Sequence, residues 1–121
     1  MIARIWRGWT LREDADAYVE YLQQTGAPGS LGTPGNRGFT ILRRPDGDRE
    51  EFVTISLWDS LEVVKSFAGD DIEKAVFYPE DEAFLVEREL TAAHFRMDHG
   101  KRSRSGGMTR SRAEPSPSGT R

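Results

Sequence analysis

The chain contains no cysteine. Disulfides, thiolate catalysis and zinc–sulfur sites are therefore excluded. Histidine is almost absent as well, with His94 in the body and His99 close behind it. Two histidines and scattered carboxylates give no metal-ligand spacing. Asparagine occurs once, at Asn36. No apolar run approaches the ~20 residues of a membrane span. The opening MIARIWRGWT is too short and too charged for a secretory signal. These absences predict a soluble cytoplasmic protein with no membrane partner. At 121 residues, a single domain is the expectation.

Charge divides the chain in two. Residues 98–121 carry six Lys/Arg against two Asp/Glu, a net of +4, whereas residues 1–97 carry eleven against eighteen, a net of −7. An acidic body does not suit a nucleic-acid binder. From Asp98 onward the one sizeable apolar side chain is Met108, so this stretch cannot offset the entropy of ordering and reads as a disordered basic tail. No aromatic residue interleaves its arginines to stack on bases. The folded domain is therefore expected over residues 1–97.

The body is organised around Glu50 to Ala75. Its first half is a strand, with Val53, Ile55 and Leu57 on one face and Phe52, Thr54, Ser56 and Trp58 on the other. The aliphatic face predicts helix packing. The mixed aromatic and hydroxyl face predicts a pocket wall or a subunit interface. Ser60 then caps an apolar-patterned helix.

Before this stretch, Ile2 to Trp9 reads as strand one. Thr10 and Glu13 have capping-box spacing. Leu11, Ala15, Tyr18, Val19 and Leu22 recur on one helical face. Gly26 to Gly35 is expected to be a loop, and it matches no phosphate-cradling motif. Arg37 to Arg44 is strand two, joined to the central strand through the turn Pro45-Asp46-Gly47-Asp48.

Beyond the centre, Asp70 and Glu73 predict a short restarted helix ending before Pro79. Glu80, Asp81 and Glu82 read as a solvated turn. Ala83 to Met97 holds the last strand. If it runs unbroken, Arg88, Leu90, Ala92, His94 and Arg96 share a face. The order strand, helix, strand, strand, helix, strand is the ferredoxin-like βαββαβ pattern, an α+β fold with a four-stranded antiparallel sheet. Two helices cover one sheet face only. Phe52, Trp58 and Trp6 are then too much apolar surface to leave wet, which predicts a homodimer packed sheet to sheet.

The MIARIW opening, Tyr18 to Leu22, Leu57-Trp58-Asp59-Ser60, Tyr78-Pro79-Glu80-Asp81 and a His on the last strand together resemble the antibiotic biosynthesis monooxygenase (ABM) superfamily of dimeric α/β barrels. The resemblance covers residues 1–97. It implies an activity among those of the superfamily, which include cofactor-independent oxygenation of aromatic polyketides and haem degradation. The haem-degrading branch uses a His on the helix after the Trp strand and an Asn on strand one. Leu61 to Asp81 has no His and Asn36 lies in the loop, so that branch is not indicated.

An oxygenase without cofactor must hold and deprotonate an electron-rich phenol or anthrone, whose anion can pass an electron to O₂. The resemblance implies that Trp58 lines the pocket, and Trp58 and His94 are the candidate catalytic residues; His94 is the one histidine of the body and its pKa range suits a base. Trp6, Phe52, Ser56, Phe67, Tyr78 and Arg88 are candidate pocket residues, and Arg4, Arg88 or Arg96 could stabilise the anion. Two other classes stay open on the same barrel: a non-catalytic ligand-binding or stress-related dimer, and a cofactor-free isomerase or cyclase.

Overall fold

Strand β1 (Ile2–Leu11) is the centre of the sheet. It pairs antiparallel with β3 (Arg49–Trp58) along its whole length, from Ile2 opposite Trp58 to Leu11 opposite Arg49. Beyond β3 lies β2 (Asn36–Asp46). The other edge of β1 is shared by two short strands, β4 (Leu85–Arg88) and β5 (Ala93–Arg96). This five-stranded antiparallel sheet is the α+β, ferredoxin-like arrangement, with the last strand split in two. The computed structural model describes residues 1–100. The expectation of a disordered tail falls almost wholly outside them. Among the described residues no helix is long and apolar enough to cross a membrane.

Among the described residues four α-helices, α1 (Ala15–Gln24), α2 (Gly26–Leu31), α3 (Leu61–Ala68) and α4 (Asp81–Phe84), and a short 3-10 turn at Arg12–Asp14 complete the fold. Ser60 caps α3 as expected, its Oγ accepting from the Val63 amide at 3.4 Å. Gly69 ends that helix at φ 88°, a conformation open to glycine. Gly47, at φ 65°, makes the tight β2–β3 turn for the same reason.

Local expectations failed in three places. The Thr10 capping box does not form. Thr10 remains in β1, opposite Glu50, and its hydroxyl donates to the Leu11 carbonyl. Sheet pairing outcompetes the cap, and Leu11 is exposed rather than on the helix stripe. The segment expected to be a loop from Gly26 contains α2 instead. Pro28 falls in its first turn, where no amide is needed. No helix restarts at Asp70. The chain from Gly69 to Glu80 is a coil, tied down by Ala75 N donating to Leu90 O and Ala92 N donating to Glu73 O.

The largest correction concerns which sheet face the helices cover. They pack on the aromatic one. Phe52 and Trp58 are both 0 % exposed. Phe52 meets Tyr18 of α1 edge-on at 5.1 Å, and Trp58 meets Phe67 of α3 at 5.4 Å. Ala15, Tyr18, Leu22 and Phe52 form the core. The aliphatic face looks outward. Ile5 stands opposite Ile55, and Leu42 opposite Val53. Val53, Ile55 and Leu57 are only half-buried. Phe95, opposite Ala3 on the same face, is 55 % exposed.

Candidate functional site

Between the sheet and the helices lies a pocket of about 60 Å³, open on one side. Its floor is the inner face of β1 and β3, with Arg4, Trp6, Thr54 and Ser56. Alternation along a strand puts Arg4 and Trp6 on the same face. Phe67 closes one side, Tyr18 and Leu22 of α1 another, and the coil from Ala75 to Tyr78 a third.

Arg4 is the polar centre of this space. Arg4 is only 5 % exposed, yet among the described residues it pairs with no carboxylate. Its Nη1 donates to Ile72 O at 2.5 Å and lies 2.9 Å from His94 Nε2, while Nη2 donates to Lys74 O at 2.9 Å. A guanidinium has no acceptor, so His94 Nε2 must accept and its proton sits on Nδ1. Burial, followed by the Arg4 charge, lowers the His94 pKa from its ordinary value, and Glu73 partly opposes this. Burial likewise lowers that of Arg4. The Arg4 guanidinium also sits 5.8 Å from the Phe67 ring centroid.

The expected site residues separate into two groups. Trp6, Ser56, Phe67 and Tyr78 line the pocket. Trp6 is fixed by its Nε1, which donates to Glu89 O at 2.7 Å, and by Phe77 standing edge-on at 6.0 Å. Ser56 Oγ accepts from Trp58 Nε1 at 2.9 Å. Trp58 thus lies one layer behind the wall, under Phe67 and Ser56, and is a buried support rather than an exposed pocket surface. Phe52 belongs to the core beside Tyr18 and does not line the pocket.

Arg88 also stands outside. Its guanidinium covers Phe77 at 4.5 Å and bonds Glu82 at 3.2 Å. The reason is geometric. β4 ends at Arg88, and residues 89–92 interrupt the strand, so the five residues expected on one face diverge. Leu90 is 66 % exposed, and Arg96 turns to Asp98 at 2.7 Å. His94 is behind Arg4 rather than among the lining residues, with its Nε2 lone pair already engaged.

Asp81 is the residue the sequence hid. It was expected in a solvated turn but is 3 % exposed and lines the pocket. Its Oδ1 accepts from the Tyr18 hydroxyl at 3.0 Å and its Oδ2 from the Tyr78 amide at 2.6 Å. Burial first, and the Asp81 charge second, push the Tyr18 phenol far above its usual range, so Tyr18 remains a donor. Among the described residues no three His, Cys, Asp or Glu side chains cluster to hold a metal.

The family model for antibiotic biosynthesis monooxygenase matches residues 1–76. The chain belongs to the antibiotic biosynthesis monooxygenase family. No curated protein matches this family member. Its fold is shared with solved structures of low identity. One, named for an antibiotic biosynthesis monooxygenase from Bacillus cereus, is 15% identical with a TM-score of 0.62, over 87% of this chain and 98% of that one. A second of that name, from Nitrosomonas europaea, is 17% identical with a TM-score of 0.58, over 82% and 100%. The haem-degrader MhuD from Mycobacterium tuberculosis, with two haems bound, is 18% identical with a TM-score of 0.52, over 84% and 99%.

Haem does not suit the pocket of this family member. An iron needs an axial ligand, and the one imidazole near the pocket has its Nε2 turned to Arg4. The other buried charged group in the lining is the Asp81 carboxylate, not an imidazole.

Proposed function

We propose that the protein is a cofactor-independent monooxygenase of a small aromatic substrate, quinol- or anthrone-like, and that Arg4 stabilises the substrate's anion. One observation carries this reading: a buried guanidinium without a carboxylate partner among the described residues faces an aromatic pocket. A fixed cation in a dry site favours the charge that develops on a bound oxygen. The substrate loses a proton, and its anion passes an electron to O₂. The two radicals combine as a peroxide. Loss of water from that peroxide leaves a new carbonyl, so one oxygen atom enters the product and the other leaves as water.

His94 serves here by orienting Arg4, with its own basicity held in reserve. Trp6, Ser56, Phe67 and Tyr78 contact the ring. A space of about 60 Å³ is smaller than the ~150 Å³ that holds benzene in an engineered cavity. The ring system therefore extends out through the open side.

The direct test is oxygen uptake by chelator-treated protein across a panel of quinols and anthrones. Uptake that tracks protein concentration supports the oxygenase. Substrate conversion without oxygen loss would point to the isomerase or cyclase class, and tight binding without turnover to a ligand-binding protein.

The homodimer is retained on different grounds from those first given. The outward face, with Ile5, Leu42, Val53, Ile55, Leu57 and Phe95, offers the apolar surface a second sheet would cover. Sedimentation at micromolar concentration should give a mass near twice 13.7 kDa. Ile55→Lys, on that face, should shift the population to monomer, and a wild-type monomer would remove the dimer from the scheme. We place the protein in the cytoplasm, consistent with a cysteine-free chain.

A further inference from the structure

Arg4 and Asp81 line one pocket, and both are buried. Among the described residues neither forms an ion pair, with the other or with any third group. A buried charge without a counter-charge is costly unless something else meets it. Backbone carbonyls and His94 meet part of Arg4, while a phenol and an amide meet part of Asp81. Each keeps bonding capacity to spare. The Arg4 Nε–H finds no acceptor among the described residues, and a carboxylate offers about four lone-pair sites of which two are used.

The pair selects a ligand by elimination. A simple anion would satisfy Arg4 and be repelled by Asp81. A cation would do the reverse. An apolar ring would leave both charges unmet. A ligand suits both when it brings an O–H donor to Asp81 and an acceptor oxygen to Arg4, with a flat apolar body for the other lining residues Trp6, Phe67 and Tyr78.

We infer that Asp81 binds the substrate's hydroxyl and takes its proton, and that the substrate is a conjugated hydroxy-ketone, an aromatic O–H linked through the ring to a carbonyl that Arg4 holds. This rests on the oxygenase reading for what happens next, but not for the recognition itself. The step balances simply. The substrate O–H bond breaks, and a new O–H bond forms on an Asp81 carboxylate oxygen. The electron pair stays on the substrate and spreads through the ring to the oxygen facing Arg4. Conjugation thus carries the new charge away from the carboxylate and toward the guanidinium. The Tyr18 hydroxyl and the Tyr78 amide fix the carboxylate's direction.

Three one-ring probes separate the poles: 4-hydroxyacetophenone has both, 4-methoxyacetophenone lacks the O–H, and 4-ethylphenol lacks the carbonyl. Calorimetric titration of the full-length wild type should favour the first over each of the others by about tenfold or more, one charge-assisted hydrogen bond. Asp81→Asn should erase the preference over the methoxy compound and keep that over ethylphenol. Asparagine can still accept from the Tyr78 amide, so the fold has its bond. If the variant does not fold, Tyr18→Phe, which removes only the donor to Oδ1, should reduce the same preference. Equal weakening of all three probes would mark Asp81 as a support alone and overturn the inference. So would a wild type that prefers none of them, or binds none at millimolar concentration. Oxygen uptake reports separately. The selectivity pattern without uptake keeps this site and removes the oxygenase, whereas uptake by a wild type that prefers none of the probes does the opposite.

Discussion

Arg4→Met should lower oxygen uptake, as kcat/KM, by about 10²–10³-fold, the usual cost of removing one preorganised donor to a developing anion. The loss has two parts that can be told apart. Arg4 holds the carbonyls of Ile72 and Lys74, so its removal leaves buried acceptors unmet, each at about 1–3 kcal/mol. Thermal melts will show that component. Kinetics measured well below the variant's Tm report the electrostatic one. Arg4→Lys keeps the charge but not the fork and should recover only part of the rate. Full activity in a folded Arg4→Met protein would remove Arg4 from the chemistry.

The same contact sets a pH signature. An imidazolium cannot accept from a guanidinium, so the His94 bond requires the neutral ring. Burial and Arg4 depress the folded-state pKa of His94 below its ordinary value. Above about pH 6.5 both folded and unfolded states carry a neutral ring, and His94 makes no pH-dependent contribution. As pH falls below that value the unfolded chain takes the proton first. Stability therefore declines until the folded pKa is reached and then levels off. kcat/KM should show an acid limb below pH 6.5. Arg4 and Glu73 are the charged groups that face the ring. Glu73→Gln removes the one that favours protonation and should move the limb to lower pH.

The second large effect concerns the fold. Trp58→Ala should cost about 3–5 kcal/mol, the range for truncating a fully buried tryptophan. Domains of this kind hold only about 5–15 kcal/mol in total. Phe67 would lose its ring partner and Ser56 Oγ its donor. Denaturant melts at two protein concentrations give the check. A core role predicts the same loss at both. An interface role predicts a loss that shrinks as concentration rises, and a change under 1 kcal/mol would show that the site collapses around the gap.

What the residues disclosed in advance was periodicity. Alternation from Phe52 to Trp58 gave the strand and its two faces, and the 3.6-residue stripe through Ala15, Tyr18 and Leu22 gave α1. Alternation is silent on which face the helices cover. Thr54 and Ser56 between two aromatics looked too polar for a helix-covered face. They suit it because the helices stand off there and leave a pocket. Thr10 and Glu13 have capping spacing, yet β1 had pairing partners at Glu50 and Leu85 that no local motif reveals. Asp81 sits between two other acids in sequence, where solvation is the natural reading. Its burial depends on Tyr18, sixty-three positions away. His94 was found as a residue but not in its relation to Arg4, because that contact depends on the register of β5 against β1.

Arg4 has a consequence for how the protein comes together. Its three bonds join positions 68, 70 and 90 residues apart in the chain. The strand that carries it is the earliest in sequence, yet its second edge is completed only by β5. Contacts of such span form late, because the loops between them must close first. A fragment ending at residue 76, where the family match stops, would keep Arg4 and lose His94, Tyr78 and Asp81 together. The proposed site is then a property of the closed chain and is complete only with its last strand.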